Sequence, residues 1–193
     1  IIDATAGQDL ELHLVRDDVN TGSGTNIPVD TNAINVIKLK DGWDYARIHK
    51  SATTTGVQAN TSFTDVTWDT ADEVDTDTFA FTPTSADITL SGNTGDHFLV
   101  MANVALRTSG TGNTRQNYEM RLTLDETEVT GTVVTEYLRG SQNGELIQDA
   151  TVAYMGIITK TSDSDEDLNV QLRRESTGSQ VTDIVADETA ISI

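Results

Sequence analysis

Gly95-Asp96-His97-Phe98-Leu99-Val100-Met101-Ala102-Asn103-Val104-Ala105-Leu106 puts Phe98, Val100, Ala102, Val104 and Leu106 at every second position. A period of two marks an extended strand with one face turned to a core. The pattern returns downstream. Tyr118, Met120, Leu122 and Leu124 alternate with Asn117, Glu119, Arg121 and Thr123, and Leu168, Val170 and Leu172 alternate with Asn169, Gln171 and Arg173. Clusters of turn formers separate these runs: Ser109-Gly110-Thr111-Gly112-Asn113, Gln142-Asn143-Gly144, and Thr161 to Asp167. Short alternating strands with Gly, Asn and Asp between them predict an all-β, antiparallel sandwich or barrel over residues 61–193.

Composition agrees. Of 193 residues, 31 are Thr and 21 are Asp, and no long helical stripe occurs. Thr is β-branched and Asp favours turns, so both work against helix. The 31 acidic and 12 basic residues leave a net charge of −19. Such a surface repels phosphate backbones and anionic lipid, so neither nucleic acid nor membrane is an expected partner. An acid-rich chain with four lysines also suits salty surroundings, where screening relieves self-repulsion. The absence of cysteine excludes disulfides, thiolate metal sites and Cys nucleophiles. No run approaches the length of a membrane-spanning helix, and the first 20 residues show no signal-like apolar stretch. The chain opens on Ile1 rather than Met, so its start is expected upstream or processed.

Residues 1–60 read differently, as an N-terminal arm. Leu10, Leu12 and Leu14 alternate with polar residues, and Ile34 to Lys40 and Trp43 to His49 flank Asp41-Gly42. Asp-Gly supplies the positive φ angles of a type I′ turn, so residues 33–49 are expected to form a hairpin outside the sandwich core. Ile34, Val36, Trp43 and Tyr45 are the expected docking residues of this arm. One strand of the main domain is apolar on both faces: Val152-Ala153-Tyr154-Met155-Gly156-Ile157-Ile158. A strand buried twice needs a core on one side and another surface on the other, most simply a second subunit. Val152, Tyr154, Gly156 and Ile158 are the expected interface.

The order of these segments resembles the tumour-necrosis-factor and C1q-like jelly roll. Gly95 to Leu106 is similar to that superfamily's glycine-led strand. Tyr154-Met155-Gly156-Ile157-Ile158 followed by Asp165-Glu166-Asp167-Leu168-Asn169-Val170 resembles its "Y-L-G-G-V…G-D-x-L-x-V" stretch, and Ala190-Ile191-Ser192-Ile193 stands where its final strand lies. Ile157 replaces the second glycine, and the final strand stops early. The resemblance implies a Greek-key jelly roll that forms a homotrimer, with Tyr154 in the sheet nearest the threefold axis. Jelly rolls rich in Thr, Gly and Asp, with strings like Tyr137-Leu138-Arg139-Gly140-Ser141, also resemble tailed-phage virion proteins. That likeness implies a decoration or cement protein on the outside of a viral capsid. It would bind the major capsid protein or another virion protein and act through buried area, not as an enzyme. Two alternatives stand beside it. One is a tail-fibre or baseplate module that binds a host glycan. The other is a carbohydrate-binding or polysaccharide-active domain, for which only Trp43 and Trp68 offer a tryptophan platform. A secreted C1q-like ligand fits less, because neither signal nor stalk is visible.

No other motif carries chemistry. His13, His49 and His97 lie far apart without ligand spacing. Asp163, Asp165 and Asp167 are the candidate oxygens for a hard cation such as Ca²⁺, and Asp72 to Asp77 forms a second acidic loop. Leu168 occupies the EF-hand glycine position and Arg174 the closing glutamate position, so both loops read as solvated turns and no metal or cofactor is expected. No G-x-S-x-G elbow, Walker loop or dinucleotide fingerprint occurs. Asn60-Thr61-Ser62 matches a glycosylation triplet. Arg121, Arg173 and Arg174 are expected in ion pairs between strands or subunits.

Overall fold

A computed structural model describes residues 44–57, 61–108, 115–139, 149–175, 182–184 and 189–193. In chain order its strands are β1 (Ala46–His49), β2 (Thr54–Val57), β3 (Thr64–Asp65), β4 (Thr70–Val74), β5 (Phe79–Phe81), β6 (Ile88–Leu90) and β7 (His97–Thr108). They continue with β8 (Arg115–Leu124), β9 (Thr127–Glu128), β10 (Val134–Arg139), β11 (Asp149–Thr159), β12 (Glu166–Arg174), β13 (Thr182–Ile184) and β14 (Ala190–Ser192). No helix occurs among the described residues.

The strands form two seven-stranded antiparallel sheets. In the first, β7 pairs with β11 along one edge and with β13 and β14 along the other; β1 joins β14 to β4, and β2 joins β13. In the second, the order runs β10, β8, β12, β6, β5, with β3 also on β12 and β9 on β8. Eight strands are paired in a nested way: β1 with β14, β6 with β12, β7 with β11 and β8 with β10. An antiparallel ribbon wound into a sandwich gives this first-with-last, second-with-penultimate pairing, which is a jelly roll.

The alternating residues lie where period-two reading puts them. Val100, Ala102, Val104 and Leu106 from β7, Tyr118, Met120, Leu122 and Leu124 from β8, and Leu168, Val170 and Leu172 from β12 are all buried in one core. Phe98 packs at its margin against Phe79, with ring centroids 5.9 Å apart and edge-on. Trp68 is fully buried, so it is no platform for a sugar ring.

Residues 46–57 correct the assignment of 1–60 to an arm. β1 is hydrogen-bonded between β14 and β4, β2 is paired with β13, and Ala46 and Ile48 sit in the core. The second half of the expected Asp41-Gly42 hairpin is therefore an integral jelly-roll strand. Leu10, Leu12, Leu14, Ile34, Val36, Trp43 and the turn itself lie outside the described residues. The physical reason is the same alternation that suggested a hairpin: Ala46 and Ile48 have an apolar face that the sandwich buries. The tight hairpin that is present uses Asp125 and Glu126 between β8 and β9, at φ 45° and 64°. Those are the angles of a type I′ turn, built here without glycine.

Both lysines among the described residues are buried. Lys160 donates from Nζ to the carbonyls of Leu90 (2.9 Å) and Ser164 (2.8 Å), with Glu166 Oε2 at 3.5 Å. Lys50 donates to Thr67 O at 2.7 Å, and burial holds its amine below the usual lysine range although Asp69 works in the other direction. The Asp69 carboxylate accepts from Ser51 N, Ser51 Oγ, Ala52 N and Thr70 Oγ1. Burial raises its pKa, but those hydrogen bonds more than offset the effect and the net shift is down.

Candidate interface on the first sheet

Antiparallel pairing places directly opposite residues on the same face of a sheet. Between β11 and β7 the opposed pairs are Val152–Val104, Tyr154–Ala102, Gly156–Val100 and Ile158–Phe98 on one face, and Ala153–Asn103, Met155–Met101 and Ile157–Leu99 on the other. The first set faces inward. Val152 and Ile158 are each 1% exposed and belong to the chain's own core, so they are unavailable to a second subunit. Tyr154 is half-buried and packs against that core. Its ring runs along the strand over Gly156, where a Cβ would overlap the hydroxyl. Val152, Tyr154, Gly156 and Ile158 thus share the inward face of β11.

The outer face carries the exposed apolar residues instead. Met155 is 71% and Ile157 67% exposed, and Leu99 and Met101 are each 42% exposed. The four form one cross-strand block: Met155 beside Met101 and Ile157 beside Leu99. His97 and Thr159 close its end, with Nδ1 of the histidine 2.9 Å from the Thr159 hydroxyl. Ser192 of β14 is opposite Met101 and Arg47 of β1 is opposite Ser192. Beyond them, Arg47 and His49 both meet the Asp72 carboxylate, and Tyr45 Oη donates to Glu73 at 2.6 Å. Tyr45, expected to dock the arm, therefore holds down the edge of the sheet.

The strands around the block are short of acid. β7, β14 and β1 contain no Asp or Glu, and β11 contains only Asp149 at its first position; the sheet's other acids are Asp72 and Glu73 on β4 and Asp183 on β13, in a chain with 31 acidic residues. The outer face of the second sheet is the opposite. Arg173 donates to Glu119, Arg121 donates to Gln171 and Glu128 (2.8 Å each), and Gln171 donates to Asp65 at 2.9 Å. The Phe63 ring lies 4.0 Å from the Arg121 guanidinium carbon and 4.5 Å from that of Arg173. The expected inter-strand role of Arg121 and Arg173 is seen here.

The acidic loops are tied into the fold. Asp163 Oδ1 accepts from Thr94 N at 2.7 Å, and the hydrogen bonds with Thr94 lower its carboxyl pKa. Asp167 accepts from Thr89 Oγ1 at 2.8 Å, and Asp165 is exposed. Among the described residues no group of three or more His, Asp or Glu is placed to hold a metal ion. The three aspartates are thus not gathered into a cation site. Asp72 serves Arg47 and His49, while Asp75 accepts from Asp77 N within its own turn.

Adding one methyl tests the Tyr154 packing. Gly156→Ala is expected to push the ring off the strand and cost about 1–3 kcal/mol, as overpacking does. Urea denaturation at two wavelengths checks it; an unchanged midpoint would mean that the ring is free to leave.

No protein-family model matches the chain, and no curated protein matches it in sequence. The similar solved structures include an Eiger TNF from S. frugiperda, at 13% identity and TM-score 0.48, covering 77% of this chain and 89% of that one. Murine APRIL matches at 9% identity and TM-score 0.41, covering 77% and 95%. The globular domain of zebrafish complement 1qA matches at 8% identity and TM-score 0.40, covering 78% and 96%. At these values the fold assignment rests on the nested strand pairing described above. The chain is an all-β jelly-roll sandwich.

Proposed function

We propose that this protein is a non-catalytic assembly module of a virion: a homotrimer that decorates the outer capsid surface. The observation that carries self-association is the acid-spared apolar block of Leu99, Met101, Met155 and Ile157. Chains that each carry −19 meet most cheaply where carboxylates are fewest, so the block, which holds none, suits a second copy of this chain. The number three comes from the resemblance described for the sequence, and so does the virion setting. The cysteine-free, Thr- and Asp-rich chain is consistent with assembly inside a cell and function outside it.

The segment before residue 44 is assigned the attachment to the larger partner. A chain starting at Asp44 is expected to remain a folded oligomer and to be absent from particles after sedimentation. Lys50 and Lys160 are buried, so amine-reactive labelling is followed at the chain's two other lysines, Lys38 and Lys40. Protection of Lys38 and Lys40 on particles, compared with free protein, checks the docking segment. Copy number on purified particles decides the assignment as a whole: a fixed stoichiometry with capsid subunits supports decoration. Recovery only with detached tails would move the module to the fibre or baseplate, and absence from particles would end the proposal.

Salt dependence follows from the charge. Raising NaCl from roughly 10 to 150 mM shortens the screening length from about 30 to about 8 Å. The oligomer is expected to tighten over that range by sedimentation equilibrium, and a chelator at constant ionic strength is expected to leave the melting temperature unchanged. A large drop with chelator would place a cation at Asp163, Asp165 and Asp167 after all.

A further inference from the structure

The chain has three methionines, and the structure separates them sharply. Met120 is fully buried in the core, while Met101 and Met155 are directly paired across β7 and β11 at the centre of the exposed apolar block. We propose that Met155 and Met101 are an oxidative modification site that governs self-association: peroxide converts them to sulfoxides in the unassembled chain and blocks assembly. The inference rests on the self-association reading above. A lone pair on the thioether sulfur attacks one oxygen of hydrogen peroxide, the O–O bond breaks, an S=O bond forms, and the other oxygen leaves as water. The sulfur loses two electrons and the peroxide gains them. The product is a polar, hydrogen-bond-accepting side chain where the seam offers apolar neighbours.

The arrangement has a direction in time. In the free chain Met155 is the most exposed of the large apolar residues, so the oxidant reaches it. In the oligomer the same sulfur is covered, so oxidation is limited to subunits that have not yet assembled. Burying one sulfoxide without a partner weakens association by about tenfold or more, and both sulfoxides act on every seam of a closed ring.

The test treats the full chain with hydrogen peroxide while dilute and at low salt, where it is unassembled, then returns it to high salt beside an untreated sample, with mass spectrometry of peptides, far-UV spectra and sedimentation velocity on both. Sulfoxide at Met101 and Met155, unmodified Met120, an unchanged fold and a shift to the monomer are expected. A fully sulfoxidised protein that still sediments as the oligomer would overturn the inference. So would loss of the fold on oxidation, because dissociation would then follow from damage to the core. A Met101→Leu/Met155→Leu double variant is compared with its own untreated state and is expected not to change on peroxide; dissociation like the wild type would place the sensitive group elsewhere. An untreated wild-type chain that is already monomeric at high salt would instead overturn the self-association reading, and the inference with it.

Discussion

Met155→Asp is expected to yield a folded monomer. In the isolated chain this side chain is 71% exposed, so an aspartate there remains hydrated and the sandwich loses little. In the proposed oligomer the same carboxylate would enter a seam made of Met101, Leu99 and Ile157, neighbours on β7 and β11 with no cation among them. An unpaired buried charge costs about 3–5 kcal/mol, which is roughly a hundredfold to several thousandfold in each association step. Ile157→Asp is expected to act in the same way. Two controls give the comparison its meaning. Val152→Asp, two strand positions away from Tyr154 on the inner face, puts the charge in the monomer's own core and is expected to unfold the chain. Thr135→Asp, on exposed β10 of the other sheet, is expected to leave the oligomer intact. Sedimentation and far-UV spectra of the four variants separate these outcomes; an oligomer that survives Met155→Asp rules out this face.

The second large effect concerns the pair that closes one end of the sandwich. The side chains of Lys160 and Glu166 are 0% and 2% exposed. The ammonium is held by two backbone carbonyls, and the carboxylate accepts from Thr161 N at 3.0 Å and from the Thr161 hydroxyl. Removing one member of such a pair leaves the other buried and uncompensated, so Glu166→Ala and Lys160→Met are each expected to cost about 3–5 kcal/mol in urea unfolding. The acid side gives an independent check. Burial raises the Glu166 pKa, but the Thr161 hydrogen bonds and the Lys160 charge more than offset this and the net shift is down. A carboxyl whose folded pKa lies below its unfolded value, about 4.3, contributes fully above that value. The contribution is lost as pH falls through the lower folded value. The stability difference between wild type and Glu166→Gln should therefore be constant near neutrality and shrink on acidification. A difference that is the same at pH 7 and at pH 2 would remove the ionised carboxylate from the account.

Much of this molecule was legible in its chain. Alternation with period two needs no knowledge of partners, because successive side chains of any strand point to opposite sides. Phe98 to Leu106, Tyr118 to Leu124 and Leu168 to Leu172 therefore announced both the strands and their buried faces, and the order of the segments pointed to the jelly roll. The turn at Asp125-Glu126 was hidden, since neither residue is the glycine that usually marks positive φ, and the β8–β9 pairing imposes it. The double apolar character of β11 was also legible: residues 152–158 are apolar on both faces.

Which face turns inward was decided elsewhere. In a strand with both faces apolar, a slip of one residue exchanges them, and nothing local favours either register. Pairing with β7 settles it. Asn103, opposite Ala153, takes the outer face, and Val100, Ala102 and Val104 carry Gly156, Tyr154 and Val152 inward with them. The same dependence moved β1 from the arm into the sandwich: its two apolar residues asked for a core, and only the positions of β14 and β4 determined which. The chain by itself determined where strands form and that one of them is apolar on both faces, because those follow from local periodicity. Only the tertiary structure decided which side chains are left facing outward, because that follows from pairing between residues more than 40 positions apart.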